Sequence, residues 1–270
     1  KLSLREAVSR KLATENGVDY APAEIVIGNG AKQLIFEVLA ATLSEGDEVI
    51  VPTPYWVSYS AQVQLAEGEP ILVPSREEGF LIDPAAIEAA ITERTVGLVL
   101  NSPNNPTGAA YYKEDLQAIA EFAVARNLWV ISDEIYARLT YSGYTSQFFA
   151  TLSVNGQSMA DRTLTVYGLS KTYAMTGWRV GIAVGPQDLI AAMTRLQGQV
   201  TSNPAAVSQA GAVAALQQPD DFLNDWLTAF DERRQTMVAR LNAMDGVSCN
   251  EPLGAFYAFP NFSGVLGRKA

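Results

Sequence analysis

Short apolar runs alternate with amphipathic stretches along most of the chain. The apolar runs predict strands over residues 25–27, 48–51, 71–73, 96–100, 128–132, 164–167, 180–184 and 255–259. Apolar residues at helical spacing predict a helix at the start of the chain, one that opens at Asp83-Pro84, and others over 34–43, 57–65, 113–126, 187–196, 205–216 and 222–241. This alternation predicts an α/β fold with a mainly parallel sheet sandwiched by helices, and functional side chains at the carboxyl ends of the strands.

The charge balance limits the classes of partner. The 270 residues are 48 % hydrophobic and carry 19 basic against 29 acidic side chains, a net charge of -10. An acidic surface is repelled by nucleic acid and by anionic membranes, and no apolar run approaches the roughly 18 residues of a membrane span. We therefore expect no nucleic acid and no membrane as partners, and a cytoplasmic location.

The inventory of reactive side chains narrows the chemistry further. Histidine is absent, and Cys249 is the only cysteine. The absence of histidine excludes a histidine base and most transition-metal sites, so no metal is predicted. Cys249 has no cationic neighbour in the sequence to activate its thiol, which favours a structural role. Proton transfer must therefore depend on Lys, Tyr, Asp, Glu or a cofactor.

Lys171 and Arg179 lie in one short segment after the strand predicted over 164–167. A lysine at the end of a buried strand loses solvent, its pKa falls, and its amine can form a Schiff base. An arginine eight residues later can fold back and bind a phosphate with its fork of donors. Together they indicate a phosphorylated aldehyde that is held covalently, which is pyridoxal 5′-phosphate.

Asp133 lies at the end of the strand predicted over 128–132. A buried aspartate beside a pyridine would keep the ring nitrogen protonated through a charge-assisted hydrogen bond, and a protonated ring withdraws electrons. Aspartate is also common as the cap of a helix or turn at such a junction. The sequence position leaves both roles open.

Three other segments that follow strands have an ordinary structural interpretation beside a functional one. Asn105 could donate to the phenolic oxygen of the cofactor, yet the segment over 102–108 is a turn by composition alone. The segment Gly28 to Gln33 could bind a phosphate through its backbone N–H groups, or form only a tight turn. Trp56 could stack on a planar cofactor or belong to the core.

Four motifs are specific when they occur as a set. They are Pro54-Tyr55-Trp56, Asn105-Pro106-Thr107-Gly108, Ser132-Asp133-Glu134-Ile135-Tyr136, and Ser170-Lys171 followed by Gly177-Trp178-Arg179. With them the chain resembles the fold-type I, class I and II aminotransferases that use pyridoxal 5′-phosphate, and especially the bacterial aspartate aminotransferase subgroup. The resemblance covers nearly the whole chain, from the first helix to residues 254–257.

The resemblance implies a role for each matching residue. Lys171 would be the Schiff-base lysine, and Asp133 would face the pyridine nitrogen. Tyr136 and Asn105 would bind the phenolic oxygen, and Trp56 would stack on the ring. The implied phosphate ligands are Gly30, Ala31, Lys32, Ser170 and Arg179.

The chain departs from the family pattern in three places. Gly168 stands where the family often has a serine, so we expect fewer phosphate contacts there, or contacts supplied by water. The arginine that binds the substrate α-carboxylate belongs to a C-terminal region that we expect to lie outside this chain, and Arg268 follows a different context. The family's N-terminal arm is also expected to lie outside it. We therefore expect the chain to be a fragment.

The same resemblance predicts three parts of the chain. Residues 1–20 form a helix that leads into the large domain, and residues 21–205 form the cofactor-binding large domain. Residues 206–270 form connecting helices and the start of a truncated, incomplete small domain.

The activity implied is a ping-pong transfer of an amino group between an L-amino acid and a 2-oxo acid, with Lys171, Asp133 and Tyr136 as catalytic residues. Aspartate and glutamate are the favoured amino acids, and aromatic amino acids or prephenate stay open. The ring-holding residues are shared with β-lyases, decarboxylases and synthases of the same fold type, which leaves those activities as alternatives. The sensing domain of an aminotransferase-like transcription regulator is a further alternative, which the acidic charge disfavours. By analogy, a homodimer is expected.

Overall fold

The computed structural model describes residues 1–267, and a seven-stranded sheet lies at its centre. Along the chain the strands are β1 (Ile25–Gly28), β2 (Glu48–Thr53), β3 (Glu69–Pro74), β4 (Thr95–Asn101), β5 (Trp129–Asp133), β6 (Ser153–Val154), β7 (Gln157–Ser158), β8 (Thr163–Gly168), β9 (Gly181–Val184), β10 (Ser248–Cys249) and β11 (Pro260–Asn261). The helices are α1 (Leu2–Asn16), α2 (Ala31–Thr42), α3 (Ser58–Leu65), α4 (Pro84–Ala90), α5 (Lys113–Ala125), α6 (Gln187–Val200), α7 (Ala206–Gln217) and α8 (Phe222–Asn242).

The central sheet is mainly parallel, with the strand order β1-β9-β8-β5-β4-β2-β3. Its one antiparallel member is β9, which pairs with β1 on one side and β8 on the other. Two short antiparallel pairs, β6 with β7 and β10 with β11, lie outside it. The predicted α/β fold is therefore confirmed, and the strands predicted between residues 25 and 184 are present with ends shifted by a few residues.

The strand predicted over residues 255–259 is wrong. Ala255 has a φ of 59°, in the left-handed region, so the chain turns there instead of extending. Its N–H donates to the carbonyl oxygen of Leu139 at 2.9 Å, and Gly254 makes an isolated antiparallel bridge with Thr140. This turn brings residues 254–257 against the segment that follows β5.

Both faces of the sheet are covered by helices, because its parallel strands carry apolar side chains on both sides. On β5, Val130 packs in one apolar cluster with Ile119 of α5, whereas its neighbour Ile131 packs in another with Val38 of α2. In a third cluster α1 contributes Leu4 and other side chains that pack with residues of α7. Among the described residues, no helix is both long enough and apolar enough to cross a bilayer.

Three glycines lie side by side where β1, β8 and β9 meet. Gly181 pairs with Gly28 on one side and with Gly168 on the other. A Cβ added at Gly181 would lie 2.3 Å from the carbonyl carbon of Gly30, so only glycine lets the start of α2 approach β9 this closely. The N-terminus of α2 therefore lies next to the segment that ends at Arg179.

Candidate active site

A cavity lies at the carboxyl edge of the parallel strands. Its volume of about 280 Å³ is close to the lower end of the range for small-molecule sites. Nine of the ten predicted site residues line it, namely Ala31, Lys32, Trp56, Asn105, Asp133, Tyr136, Ser170, Lys171 and Arg179. The tenth, Gly30, adjoins it, since a Cβ added there would lie 2.3 Å from Nη2 of Arg179. The fold thus collects residues from six separate stretches of sequence around one space.

Asp133 is the cap of a turn and also lines the cavity, and its role toward a pyridine nitrogen stays a prediction. Its side chain is buried at the end of β5, where Oδ1 accepts the N–H of Ile135 at 3.2 Å and closes a turn. Oδ2 accepts the hydroxyl of Tyr59 at 2.7 Å. Burial raises the pKa of Asp133 to about 6, although the hydrogen bonds from Tyr59 and Ile135 and the charge of Lys171 oppose that rise. The same carboxylate therefore caps a turn and lines the cavity.

Lys171 reaches the cavity from the turn after β8. Its Nζ lies 5.7 Å from the centre of the Tyr136 ring and 5.6 Å from that of Phe256. Burial lowers the pKa of Lys171, and the charge of Arg179 lowers it further, while Asp133 acts in the opposite direction. A lowered pKa increases the share of neutral amine, which is the nucleophilic form.

The hydroxyl of Tyr136 lies 2.6 Å from the hydroxyl of Tyr257, whose side chain also lines the cavity. Burial, together with this hydrogen bond, raises the pKa of Tyr136 well above its ordinary value. Tyr136 therefore stays protonated at neutral pH and can donate a hydrogen bond to an oxygen in the cavity.

The segment after β4 forms the turn that its composition predicts, and it is tied to the end of β5. The side chain of Asn101 donates to the carbonyl oxygen of Asp133 at 2.9 Å and accepts the N–H of Asn105 at 2.8 Å. Gly108 closes the turn by donating its N–H to the carbonyl of Asn104 at 2.9 Å. The peptide bond between Asn105 and Pro106 is cis. Asn105 lies on the cavity wall, as does Asp133 at the C-terminal end of β5.

Arg179 and the start of α2 form an end of the cavity that suits an anion. Arg179 donates from Nη1 to the carbonyl of Thr176 at 2.9 Å and from Nη2 to the carbonyl of Asn29 at 3.3 Å, which fixes the guanidinium beside Gly30. Gly30 precedes α2 without a side-chain cap, so the first N–H groups of this helix have no partner within it. A cation beside a helix N-terminus attracts a phosphate.

Trp56 and Lys32 occupy the mouth of the cavity. Trp56 is partly buried and packs against the apolar cluster beneath α2 while it lines the cavity, and its stacking on a cofactor stays a prediction. Lys32 is exposed, and its Nζ lies 5.0 Å from the centre of the Trp56 ring. Lys32 therefore lies near solvent, at one side of the opening.

Five further residues line the cavity and were not predicted as site residues, namely Tyr59, Asn101, Ile135, Thr176 and Tyr257. Tyr59 follows Trp56 by three residues and packs edge-on against it, with ring centres 5.4 Å apart. Tyr257 lies in the segment that was wrongly predicted as a strand.

Gly168 departs from the family pattern at a crowded position. A Cβ added there would lie 3.0 Å from Cδ1 of Ile135. Thr176 lines the cavity nearby, and its hydroxyl donates to the carbonyl of Ser170 at 2.9 Å. Arg268, to which no carboxylate role was assigned, lies outside the described residues.

Known proteins share both the sequence and the fold. The family model described as aminotransferase class I and II matches residues 1–269. The aspartate/prephenate aminotransferase of Cereibacter sphaeroides is 45 % identical over 269 residues, which are 99 % of this chain and 66 % of that protein.

Two solved structures are similar to this chain. The crystal structure of the aspartate aminotransferase from Rhizobium meliloti matches with a TM-score of 0.94 and 44 % identity over 98 % of this chain and 66 % of that one. The aromatic aminotransferase from Pyrococcus horikoshii OT3 matches with a TM-score of 0.92 and 40 % identity, over 96 % of this chain and 69 % of that one. This chain thus spans about two thirds of the length of these relatives.

Proposed function

Because this chain belongs to the class I and II aminotransferases, we propose that its cavity binds pyridoxal 5′-phosphate and that the whole protein transfers an amino group between an L-amino acid and a 2-oxo acid by a ping-pong mechanism. The observation that carries the proposal is the arrangement around one cavity of an amine, Lys171, a buried carboxylate, Asp133, and a guanidinium, Arg179. These are the three groups that a phosphorylated pyridine aldehyde requires.

The two ends of the cavity fit the two ends of this cofactor. Arg179 and the uncapped N-terminus of α2 at Gly30, Ala31 and Lys32 would hold the phosphate, with Ser170 as a further ligand. Asp133 would face the ring nitrogen at the buried end, where Tyr59 fixes its carboxylate. Trp56 would cover one face of the ring, and Asn105 and Tyr136 would bind its phenolic oxygen.

When bound, the cofactor supplies an aldehyde that condenses with primary amines and a protonated ring that withdraws electrons. Lys171 has the features of the protein's proton carrier. Its Nζ, whose pKa is lowered by burial, would accept the α-proton of the substrate in its neutral form and return it to a neighbouring carbon. Asp133 would stay ionised beside the positive ring nitrogen, because an opposite charge favours the ionised carboxylate. No histidine is needed for these steps.

For the substrates we propose aspartate and glutamate as amino donors and 2-oxoglutarate as an acceptor. The names of the relatives support this choice, since two of the three are named for aspartate and one of these also for prephenate. The third is named an aromatic aminotransferase, which keeps aromatic amino acids open. None of the three is named a lyase, a decarboxylase, a synthase or a transcription regulator.

For the assembly we propose a homodimer. Support comes from large apolar side chains that are exposed, namely Val57, Trp178, Val200 and Val207. Trp178 lies between Thr176 and Arg179, two residues that line the cavity. An exposed aromatic side chain beside a site, as Trp178 is, is a feature of protein interfaces. A cytoplasmic location stays a prediction.

The direct test is an assay of amino transfer. The protein, loaded with pyridoxal 5′-phosphate, is mixed with aspartate and 2-oxoglutarate, and the formation of glutamate is followed. We expect glutamate and oxaloacetate in equal amounts and no release of ammonia. Ammonia or carbon dioxide without glutamate would replace transfer by elimination or decarboxylation. Binding of the cofactor without any reaction of amino acids would contradict the proposed activity.

A further inference from the structure

A single carboxylate outside the cavity holds the two chain segments that carry Lys171 and Tyr136. Asp220 lies between α7 and α8, and its Oδ1 accepts the hydroxyl of Tyr173 at 3.0 Å. Its Oδ2 accepts Nη1 of Arg138 at 2.8 Å and Nζ of Lys11 at 2.9 Å. Tyr173 follows Lys171 by two residues, and Arg138 follows Tyr136 by two residues.

The network is partly buried, so each of its hydrogen bonds and ion pairs contributes more to stability than an ion pair on the surface does. The side chain of Lys11 is 9 % exposed, that of Asp220 20 % and that of Arg138 24 %. A second carboxylate, Glu15, lies 2.7 Å from both Lys11 and Arg138 and balances their charges. Burial works against ionisation of Asp220, but hydrogen bonds from Lys11 and Arg138 hold its pKa well below its ordinary value. Asp220 is therefore ionised at neutral pH.

The segments that Asp220 holds are tight turns, so a shift at one residue is passed to its neighbours. In the Lys171 turn, Tyr173 donates its N–H to Leu169 at 3.1 Å, and Ala174 donates to the carbonyl of Lys171 itself at 3.2 Å. In the Tyr136 turn, Leu139 donates its N–H to the carbonyl of Tyr136 at 2.8 Å. Arg138 and Tyr173 are thus each joined by one short turn to a side chain of the cavity.

The beginning of α8 is part of the same contact. Phe222, the first residue of α8, packs against the ring of Tyr173 with ring centres 5.5 Å apart. Nζ of Lys11, from α1, lies 5.8 Å from the centre of the same ring. Asp220 therefore joins α1, the start of α8 and both turns at one point.

We propose that Asp220 is a positioning residue that sets the placement of Lys171 and Tyr136 relative to each other. This inference rests on the proposed function, in which both side chains act on one bound cofactor. Asp220 touches neither the cavity nor the reacting atoms, and it acts through Tyr173 and Arg138. Its loss lets the two turns move independently, and misplacement of a reacting group by about 1 Å can lower a rate by two orders of magnitude.

The test compares Asp220→Asn with Asp221→Asn, both loaded with pyridoxal 5′-phosphate. Asp221 is the adjacent residue, is exposed and makes no capping hydrogen bond, so it is a matched control. Two properties are measured. The first is the kinetics of amino transfer, as kcat and KM, and the second is the pH midpoint at which the visible absorbance of the bound cofactor changes, which reports the surroundings of Lys171. For Asp220→Asn we expect kcat to fall about tenfold to hundredfold with little change in KM and the pH midpoint to move by about half a unit or more. Asp221→Asn should leave kcat, KM and the pH midpoint unchanged.

A second variant keeps the inference testable if Asp220→Asn does not fold. Tyr173→Phe removes only the phenolic hydrogen bond and leaves the ion pairs of Asp220 in place, and we expect a fall in kcat of about twofold to tenfold. Normal kcat and an unmoved pH midpoint in the folded variants would overturn the positioning role, even if the melting temperature fell. If the unaltered protein shows no visible absorbance that depends on Lys171, the proposed function itself has failed. That failure is seen without any substitution at Asp220, so it is distinguishable from failure of the positioning role.

Discussion

The hydroxyl of Tyr59 donates a hydrogen bond of 2.7 Å to Oδ2 of Asp133, inside the wall of the cavity. Tyr59 is buried, and burial raises the pKa of its phenol well above the ordinary value, with the charge of Asp133 adding to the rise. The phenol is thus a permanent donor. Since a hydrogen bond to the ionised form favours that form, Tyr59 helps to keep Asp133 charged in an apolar setting.

Removal of this donor should make Asp133 harder to ionise. In Tyr59→Phe we expect the pKa of Asp133 to rise above its value of about 6, so that the acid limb of the kcat profile moves to higher pH. A hydrogen bond to a charged group contributes roughly 1.5–3 kcal/mol, so kcat at neutral pH should fall about tenfold to hundredfold. The measurement is kcat against pH.

Tyr55→Phe is the matched control for that experiment, because the hydroxyl of Tyr55 bonds Ser60 at 3.1 Å instead of Asp133. Its pH profile should equal that of the unaltered protein. An acid limb that stays in place in Tyr59→Phe would contradict the role assigned to this phenol.

Lys171→Ala should abolish both turnover and the visible absorbance of the bound cofactor, since the variant lacks the nucleophilic amine, and the other amine of the cavity, that of Lys32, lies at the mouth beside Trp56. Absorbance spectra and a glutamate assay measure the two effects. Lys113→Ala, at an exposed site on α5, is the control and should behave as the unaltered protein does. Retained transfer in Lys171→Ala would refute the mechanism.

Arg179→Lys should weaken the binding of the phosphate end specifically. A lysine keeps the positive charge but loses the fork of donors that binds two phosphate oxygens at once. We expect the dissociation constant for pyridoxal 5′-phosphate to rise about tenfold or more, whereas that for pyridoxal, which has no phosphate, should hardly change. Fluorescence titration measures both, and Arg195→Lys on the exposed side of α6 is the control. Equal losses for the two ligands would remove Arg179 from the phosphate site.

The buried carboxylate of Asp133 should lower the stability of the cofactor-free protein. Its pKa is raised from 3.8 to about 6 on folding, so the folded state binds more protons between these pH values and stability falls as the pH rises through that window. In Asp133→Asn we expect the free energy of unfolding at pH 7 to increase by roughly 1–3 kcal/mol and turnover to be lost. Urea unfolding at pH 4 and pH 7 measures the first effect.

Asp19→Asn, at an exposed position, is the control for the stability experiment and should change neither quantity. A variant at Asp133 that is less stable than the unaltered protein at pH 7, with the same dependence on pH, would show that this carboxylate does not oppose folding.

Hydrophobic spacing predicted the sheet and its helices well because every strand of the central sheet except the edge strand β3 is buried over most of its length. It failed at residues 255–259, where an apolar run is interrupted by the left-handed Ala255, a conformation that the side chains alone do not indicate. Tyr59 was missed because a buried tyrosine on an amphipathic helix has the pattern of an ordinary core residue. Asp220 was missed because its partners are 209, 82 and 47 residues away in the sequence.

The site residues came from the resemblance together with their common position after strands. The structure brings them to one cavity, while their individual chemical roles stay predictions until the variants are measured. The division of the chain at residues 20 and 205 also stays a prediction.

The reversed direction of β9 has a consequence for the size of molecule that fits. Because β9 returns antiparallel to β8, Lys171 and Arg179 lie at the same edge of the sheet, joined by a turn of only seven residues. The span between the reactive amine and the anion clamp is therefore fixed by the length of that turn. Adding or deleting a residue in that turn would change the length of the aldehyde phosphate that can reach both groups, without any substitution of a side chain in the cavity.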